Sequence, residues 1–180
     1  MEKPTLNGIT LEESMDTETL KKLETEYLSW VGTPYVHMAK EKGVGADCAL
    51  FLAMCLKNAG ILTQVENLYY SRTWMQTGTQ ELMVDGFREH LKKYLVWGYE
   101  YKIIQFSAAT KEGYKHQFDN FDFCKADILC FTTKKTVVCH HAGMYHEDNT
   151  MLHAYQGKGV YIAQILDHWK EKIRYVIRIL

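Results

Sequence analysis

One cysteine and two histidines in this chain have the residue types and the order of a thiol nucleophile, its base and an orienting group. Cys48 follows Asp47, His141 begins a segment of apolar and aromatic residues, and His153 lies in the next such segment. A thiol attacks as the thiolate, and a free cysteine with a pKa near ~8.5 is only a few per cent ionised at neutral pH. A catalytic cysteine therefore needs a helix N-terminus or an imidazole nearby.

A helix that begins at Cys48 would supply the first of these aids. Two glycines predict a loop before Asp47, Asp47 is a good N-cap, and the apolar run 48–58 ends shortly before Gly60. The free N–H groups of the first turn and the positive end of the helix dipole favour an anion. The carboxylate of Asp47 opposes a second negative charge, and we expect the cap to direct it away from the sulfur.

The two histidines are predicted to share one face of a β-hairpin. Segments 136–145 and 150–155 are rich in β-branched and aromatic residues, and segment 147–149 has turn composition. Folding the hairpin about position 147 sets His141 directly opposite His153, with Cβ atoms ~4.5–5.5 Å apart. One ring then orients the other and leaves a nitrogen for Cys48. A one-residue shift in register would turn His153 to the opposite face.

Taken singly, these residues also fit structural roles. A cysteine at a helix start is commonly a small buried apolar residue, and a histidine in a strand is commonly a satisfied core residue. His140 alternates to the face opposite His141, and we interpret it as structural or solvent-facing. The order and predicted placement of Cys48, His141 and His153 together favour catalysis. The remaining cysteines are interpreted as buried apolar residues: Cys55, Cys124, Cys130 and Cys139.

A metal site is the alternative chemistry. The following residues contain metal-ligand types: Cys139, His140, His141 and His153. Adjacent strand residues point apart, however, and five residues separate Cys124 from Cys130, rather than the usual two to four. The catalytic interpretation requires neither a metal nor a cofactor.

The composition is ordinary for a soluble globular protein. The 180 residues are 47% hydrophobic and 24% charged. A net charge of −1 gives no basic field for nucleic acid or an anionic membrane. Five cysteines do not indicate a disulfide framework, and we expect them to be reduced. Neither a signal peptide nor a membrane span is visible.

The predicted elements form an α+β fold in which the nucleophile helix packs on a C-terminal antiparallel sheet. Helices are predicted over 16–31, 48–58 and 79–94, and strands over 99–103, 127–131, 136–145, 150–155, 160–165 and 173–180. Segment 61–123 contains many aromatic residues between Tyr69 and Phe123. They could line a substrate groove, but a second, smaller core is the favoured interpretation, because aromatic residues dominate packing.

At these residues the sequence resembles the NlpC family of papain-like cysteine peptidases, which cut the peptide stems of bacterial cell walls. The resemblance runs from about residue 28 to 166, and its carriers are segments 32–35, 47–48, 126–131, 141–145, 152–154 and 159–160. It implies a single papain-like domain over 1–180 with an enlarged segment at about 61–123. It also implies that Cys48 is the nucleophile, His141 the base, His153 the third polar residue and Tyr35 a side chain near the oxyanion.

The chain departs from the family pattern at three places. His37 to Ala39 stand where the family usually has a glycine pair, Ala49 and Leu50 replace a Ser-Gly pair, and Ala126 replaces a glycine. These changes leave the three reacting side chains intact and alter the surroundings of the substrate. Members with an enlarged middle segment resemble those encoded by phages.

The resemblance implies a cysteine peptidase or amidase that hydrolyses peptidoglycan stem peptides through Cys48, His141 and His153. Its partner would be a wall peptide rather than nucleic acid, and it would be cytoplasmic or phage-associated and act on the wall. Two alternatives remain open. One is a papain-like acyltransferase or another amide hydrolase, and the other is a non-catalytic phage structural or wall-binding module. The oligomeric state is left open.

Overall fold

The computed structural model describes residues 15–66, 80–132 and 138–180. The helices in these ranges are α1 (Thr17–Leu28), α2 (Cys48–Asn58), α3 (Leu82–Tyr94), α4 (Lys111–Asp119) and α5 (Asp167–Lys170). The strands are β1 (Lys40–Glu41), β2 (Gly45–Ala46), β3 (Tyr101–Gln105), β4 (Ile128–Phe131), β5 (His141–Tyr145), β6 (Thr150–Tyr155), β7 (Gly159–Gln164) and β8 (Ile173–Ile179). None of the described helices combines the length and the apolar character needed to cross a membrane.

Six strands form one antiparallel sheet in the order β3-β8-β4-β5-β6-β7, and β1 and β2 form a separate small hairpin. Strands β4 to β7 follow one another as neighbours, because short turns favour antiparallel pairing. β8 then returns between β3 and β4. The predicted α+β fold with an antiparallel C-terminal sheet is therefore confirmed.

Most predicted elements are present, and the differences have local causes. Helix α2 has the predicted bounds, whereas α1 ends at Leu28 rather than at residue 31. β5 begins only at His141, although the strand was predicted from residue 136; residues 136 and 137 lie outside the described ranges. The backbone N–H of Cys139 donates to Glu81 Oε2 at 2.9 Å. This amide is therefore used outside the strand ladder.

The sheet has a hydrophobic core on each face. Residues of α1, α2 and α3 share the first core with alternate residues of the strands, including Ile128, Cys130, Ala142 and Leu152. The second core lies on the other face and includes these residues: Phe106, Phe118, Leu129, Phe131, Met151, Trp169 and Val176, with Phe121 and Phe123 packed against it. The interpretation as a second core is confirmed for Phe106, Phe118, Phe121 and Phe123, whereas Phe87 and Tyr94 lie in the first core and Trp97 is exposed.

Gly159 allows the segment before β1 to approach the edge strand β7 closely enough to form backbone hydrogen bonds with it. The N–H of Gly32 donates to the carbonyl of Val160 at 2.9 Å, and the N–H of Val160 donates to the carbonyl of Thr33 at 2.8 Å. Gly159 has φ +78°, and a Cβ at this position would lie 2.4 Å from the Thr33 carbonyl oxygen. Only glycine fits both the left-handed conformation and this close approach.

Replacing this glycine is expected to destabilise the fold more than replacing its neighbour in the same turn. Gly157 has φ +84°, and a Cβ there would meet nothing within 4 Å. Gly157→Ala should therefore lower the free energy of unfolding by only about 1 kcal/mol, the cost of placing alanine in a left-handed conformation. Gly159→Ala should lower the free energy of unfolding by at least ~2 kcal/mol more, because the backbone must move to relieve the clash between the new Cβ and the Thr33 carbonyl oxygen. Urea unfolding of both variants measures the difference, and equal losses would contradict this account.

Candidate active site

Asp47 caps the helix that begins at Cys48, as the sequence predicts. Its Oδ1 accepts hydrogen bonds from the backbone N–H groups of Ala49, at 3.2 Å, and Leu50, at 2.9 Å. Its Oδ2 accepts the N–H of Met38 at 2.8 Å. The buried carboxylate thus satisfies donors of the first helical turn and also ties the preceding loop to the helix. Cys48 is consequently held at the first position of α2.

The Cys48 sulfur receives hydrogen bonds but is not ionised at rest. Burial, and to a smaller extent the Asp47 charge, raise the pKa of the Cys48 thiol to about 12. The N–H groups of Ala142, Cys48 and Ala49 lower the pKa, but by less than burial raises it. The sequence-based expectation of a thiolate is therefore wrong for the resting site, and the Asp47 charge still acts on the sulfur although its oxygens accept hydrogen bonds from backbone N–H groups. Cys48 is a neutral thiol there.

His141 and His153 form a direct hydrogen bond, with His141 Nε2 and His153 Nδ1 2.7 Å apart. The two ring centroids are 5.0 Å apart and the rings are nearly perpendicular, at 77°. Both side chains are buried. The prediction that the two rings share one face and contact each other is confirmed.

The predicted register of this hairpin is wrong. The turn lies at Asp148 and Asn149, which have φ values of +47° and +56°, and not at residue 147. β5 and β6 pair at Met144↔Leu152 and Tyr145↔Met151, so His141 and His153 are diagonal rather than directly opposite. Moving the centre of a hairpin by one residue shifts the cross-strand partner of each residue by two positions. Side chains along a strand return to the same face every two residues. Both rings therefore stay on the predicted face.

The Cys48 sulfur lies at the beginning of β5, of which His141 is the first residue. α2 packs on one face, whereas the rings lie on the other face with Phe131 and Trp169. The pairing of β5 with β6 stops at Met144, and the N–H of Ala142 is hydrogen-bonded to the Cys48 sulfur. The structure thus places the sulfur beside the residue that follows His141, at the beginning of β5.

Tyr35 lies beside the chain that leads into α2. It forms an isolated parallel bridge with Ala46, and the flanking bonds join Val36 N–H to the Ala46 carbonyl at 3.1 Å and Ala46 N–H to the Pro34 carbonyl at 3.0 Å. The backbone of Tyr35 is therefore fixed close to the N-terminus of α2.

Burial keeps both imidazoles neutral. It lowers the pKa of His153 to about 4, with a further contribution from the Lys158 charge. It also lowers the pKa of His141 well below its usual range, and His153 and His140 add to this effect. His140 itself is buried, with Nδ1 3.2 Å from the carbonyl of Val138, which agrees with a structural role rather than with a solvent-facing one.

One shared proton couples the tautomers of the two rings. If His141 Nε2–H donates to His153 Nδ1, then His141 Nδ1 has a lone pair and His153 carries its proton on Nε2. Among the described residues, His153 Nε2 is buried without a hydrogen-bond partner. This tautomer makes His141 a base, and it leaves a buried N–H unpaired, which costs free energy.

The sequence interpretation missed the aromatic side chains around the histidines. Trp169 contacts both rings, Tyr155 lies with its centroid 5.8 Å from that of His141, and Tyr161 lies 4.7 Å from His153. Trp169 is an apolar residue in the charged segment between the last two predicted strands. That contrast was the signal available in the sequence for a buried anchor at this position.

Within the described ranges, metal-ligand side chains converge only at Glu24, His146 and Glu147. Lys125 Nζ lies 2.6 Å from Glu24 Oε1 and 3.0 Å from Glu147 Oε2, so its ammonium already neutralises the two carboxylates. The set Cys139, His140, His141 and His153, considered above for zinc, does not converge in this way.

Two departures from the family pattern expected above include left-handed backbone positions. Met38, within segment 37–39, has φ +61°, and Ala126 has φ +72°. Both non-glycine residues thus adopt a backbone conformation that favours glycine. At Met38 this conformation directs the backbone N–H to Asp47.

Comparisons with known proteins agree on one family. A sequence model described as "NlpC/P60 family" matches residues 32–178. A solved protein of Staphylococcus aureus subsp. aureus Mu50, described as similar to lipoprotein of the NLP/P60 family, is 17% identical with a TM-score of 0.54, covering 95% of this chain and 45% of its own. NlpC2 from Trichomonas vaginalis is 14% identical with a TM-score of 0.53, covering 96% and 51%.

NlpC1 from the same organism is 14% identical with a TM-score of 0.51, covering 93% of this chain and 45% of its own. These likenesses show a shared fold. The chain spans about half the length of these three solved proteins. No protein of curated function matches it.

The neutral histidine pair is expected to make the fold less stable in acid. In the unfolded chain each ring binds a proton near pH ~6.5, whereas the folded protein resists protonation until about pH 4 at His153. The free energy of unfolding should therefore fall as pH drops from 6.5 to 4, by at most ~1.4 kcal/mol per pH unit for each ring. Urea unfolding at several pH values measures this slope.

The His153→Asn variant should show a shallower loss of stability over the same pH range, because it removes one of the two rings. His116→Asn, at an exposed position, is the matched control and should keep the wild-type slope. An unchanged slope in His153→Asn would contradict the assignment.

Proposed function

The chain belongs to the NlpC/P60 family, and from this premise we propose that it is a cysteine peptidase or amidase acting on bacterial cell-wall peptides. The observation that carries the proposal is the 2.7 Å hydrogen bond between His141 and His153, with the Cys48 sulfur at the adjacent amide of Ala142. Independent core residues have no reason to assemble a thiol and two coupled imidazoles at one strand end.

In the proposed first half-reaction the Cys48 sulfur attacks the amide carbonyl while its proton passes to His141 Nδ1. His153 Nδ1 accepts the hydrogen bond from His141 Nε2–H and stabilises the imidazolium. The backbone N–H of Cys48 and the Tyr35 hydroxyl would donate to the oxyanion. His141 then returns the proton to the leaving amine, and the C–N bond breaks to give a thioester at Cys48.

In the second half-reaction His141 takes a proton from water, and the resulting hydroxide attacks the thioester. The C–S bond breaks, the proton returns to the sulfur, and the carboxylic acid product leaves. No cofactor or metal takes part in either step.

The reaction begins from a neutral thiol and a neutral imidazole. Burial raises the pKa of Cys48 and lowers the pKa of His141, so a preformed ion pair is disfavoured. Moving the proton from sulfur to ring creates both charges at once, and their attraction offsets part of the desolvation cost. The amide of Ala142 and the N-terminus of α2 stabilise the sulfur as charge develops.

The substrate follows from the family resemblance. The proposed target is a wall stem peptide that contains D-glutamate and a diamino acid, and action at the wall by a phage-associated enzyme is part of the same proposal. Digestion of purified peptidoglycan, followed by mass analysis of the products, tests turnover and the position of the cut together.

Removing the sulfur should abolish hydrolysis without affecting the fold. Cys48→Ala is expected to lower kcat/KM by roughly 10⁴-fold or more, because the nucleophile is gone. Its melting temperature should stay near that of the wild type, since the side chains are close in size. Cys124→Ala, at a half-buried thiol away from the histidines, is the control and should keep full activity. Retained hydrolysis of wall peptides by Cys48→Ala would refute the assignment.

Acyl transfer is a second candidate, favoured by an apolar cavity beside the nucleophile helix. Its wall includes Ala49 and Leu50, which replace the Ser-Gly pair of the family, together with Leu82, Phe87 and other residues of α3. The cavity begins at the residue after Cys48, and its lining matches an apolar acyl group. Mass spectrometry of Cys48 adducts after incubation with peptide and acyl donors distinguishes the two reactions.

A non-catalytic wall-binding module is best tested by turnover rather than by thiol reactivity. Because burial keeps Cys48 protonated, its alkylation by iodoacetamide at pH 7 is expected to be slower than that of a model thiol even in an active enzyme. Binding of peptidoglycan without any product would support the module and contradict the hydrolase.

A further inference from the structure

Trp169 covers the hydrogen bond between His141 and His153. Its ring centroid lies 5.2 Å from that of His141, with the planes tilted by 31°, and 5.5 Å from that of His153, nearly perpendicular at 83°. It also packs edge-on against Phe131 at 5.1 Å. The indole is only 9% exposed, so it separates the two imidazoles from solvent on this side.

The short helix α5 that carries Trp169 is held by α4. Lys115 Nζ on α4 lies 2.8 Å from Asp167 Oδ2, and Lys170 Nζ lies 2.6 Å from Asp119 Oδ1. The Lys170 ammonium also lies over the ring of Phe118, 5.3 Å from its centroid. Helix α4 belongs to the enlarged segment 61–123, so part of that segment supports the cover over the histidines.

We propose that Trp169 is a positioning residue that excludes water from the His141–His153 hydrogen bond and fixes the His141 ring, with α4 holding Trp169 in place through α5. Its catalytic meaning depends on the proposed function, whereas its effect on the two imidazoles does not.

The physical reason is competition by water. A hydrogen bond between two imidazoles is strengthened in a low dielectric and weakened when water reaches either nitrogen. His153 holds one nitrogen of His141, and the indole face limits rotation of the same ring. Both restraints keep the opposite nitrogen, Nδ1, in one direction. Without the indole, water would compete for Nε2 and the ring would gain freedom.

The expected titration follows from burial, which is the largest cause of the lowered pKa of His141. Removing the indole hydrates the ring and should raise this pKa towards its usual value. The titratable and charged groups around the pair stay in place when Trp169 changes: Cys48 on α2, His140 before β5, His153 and Tyr155 on β6, Lys158 before β7, Tyr161 on β7 and His168 on α5.

The test compares Trp169→Ala and Trp169→Phe with the matched control Trp97→Ala. In the wild type the Trp97 side chain is 98% exposed. Trp169→Ala should lower kcat by roughly ten-fold with little change in KM, and should move the acid limb of kcat/KM upward by about one pH unit. Trp169→Phe should restore much of both, because a ring still covers the pair. Trp97→Ala should match the wild type.

A second measurement is independent of turnover. NMR titration of the imidazole carbon-bound protons should show the His141 pKa raised in Trp169→Ala and unchanged in Trp97→Ala. If the wild type hydrolyses nothing, the proposed function fails, and this titration still decides the role of Trp169. An identical titration in both variants, or lost activity with an unchanged pH profile, would overturn the positioning role.

The part assigned to α4 has its own test. Lys170→Met keeps the side-chain stem and removes the ion pair with Asp119, so it should raise the His141 pKa in the same direction by a smaller amount. Lys92→Met removes a more exposed lysine–carboxylate pair, with Glu89 on α3, and is the control. Equal titrations in Lys170→Met and Lys92→Met would overturn the role of α4.

Discussion

The hydrogen bond between His141 and His153 is the constraint on which the rest of the site depends. It requires β5 and β6 to present both rings on one face, and the turn at Asp148 and Asn149 sets that register. The ladder between the two strands ends at Met144, and the amide of Ala142 is hydrogen-bonded to the Cys48 sulfur instead. The same strand end therefore positions both His141 and the sulfur.

Burial raises the pKa of the Cys48 thiol and lowers the pKa of His141, the two partners of the proposed proton transfer. It strengthens the bond between the imidazoles, and it makes separate ionisation of the thiol or of His141 unfavourable. A site of this kind favours proton movement that is coupled to attack on a substrate. It disfavours a standing thiolate that would be open to oxidants. The helix N-terminus assists the developing charge and does not create one in advance.

Local signals were sufficient to predict α2 but not the exact register of the β5–β6 hairpin. The Asp47 cap and the apolar run after it depend on neighbouring residues only, and α2 has the predicted bounds. The turn was placed one residue early, since Glu147, Asp148 and Asn149 all have turn propensity and only the backbone selects among them. The start of β5 was misplaced because the amide of Cys139 bonds Glu81, 58 residues away in sequence. Trp169 was missed for the same reason: its partners come from several distant strands.

The turn at Asp148 and Asn149 also bears on how chains of this kind can change length. A register shift of one residue there would turn one imidazole to the opposite face of the sheet. A shift of two residues would return it to the same face, but at a greater distance from the other imidazole. Helices α3 and α4 carry no such parity rule, since neither belongs to the β5–β6 ladder. The number of residues at the tip of the β5–β6 hairpin is therefore tied directly to the face on which each imidazole lies.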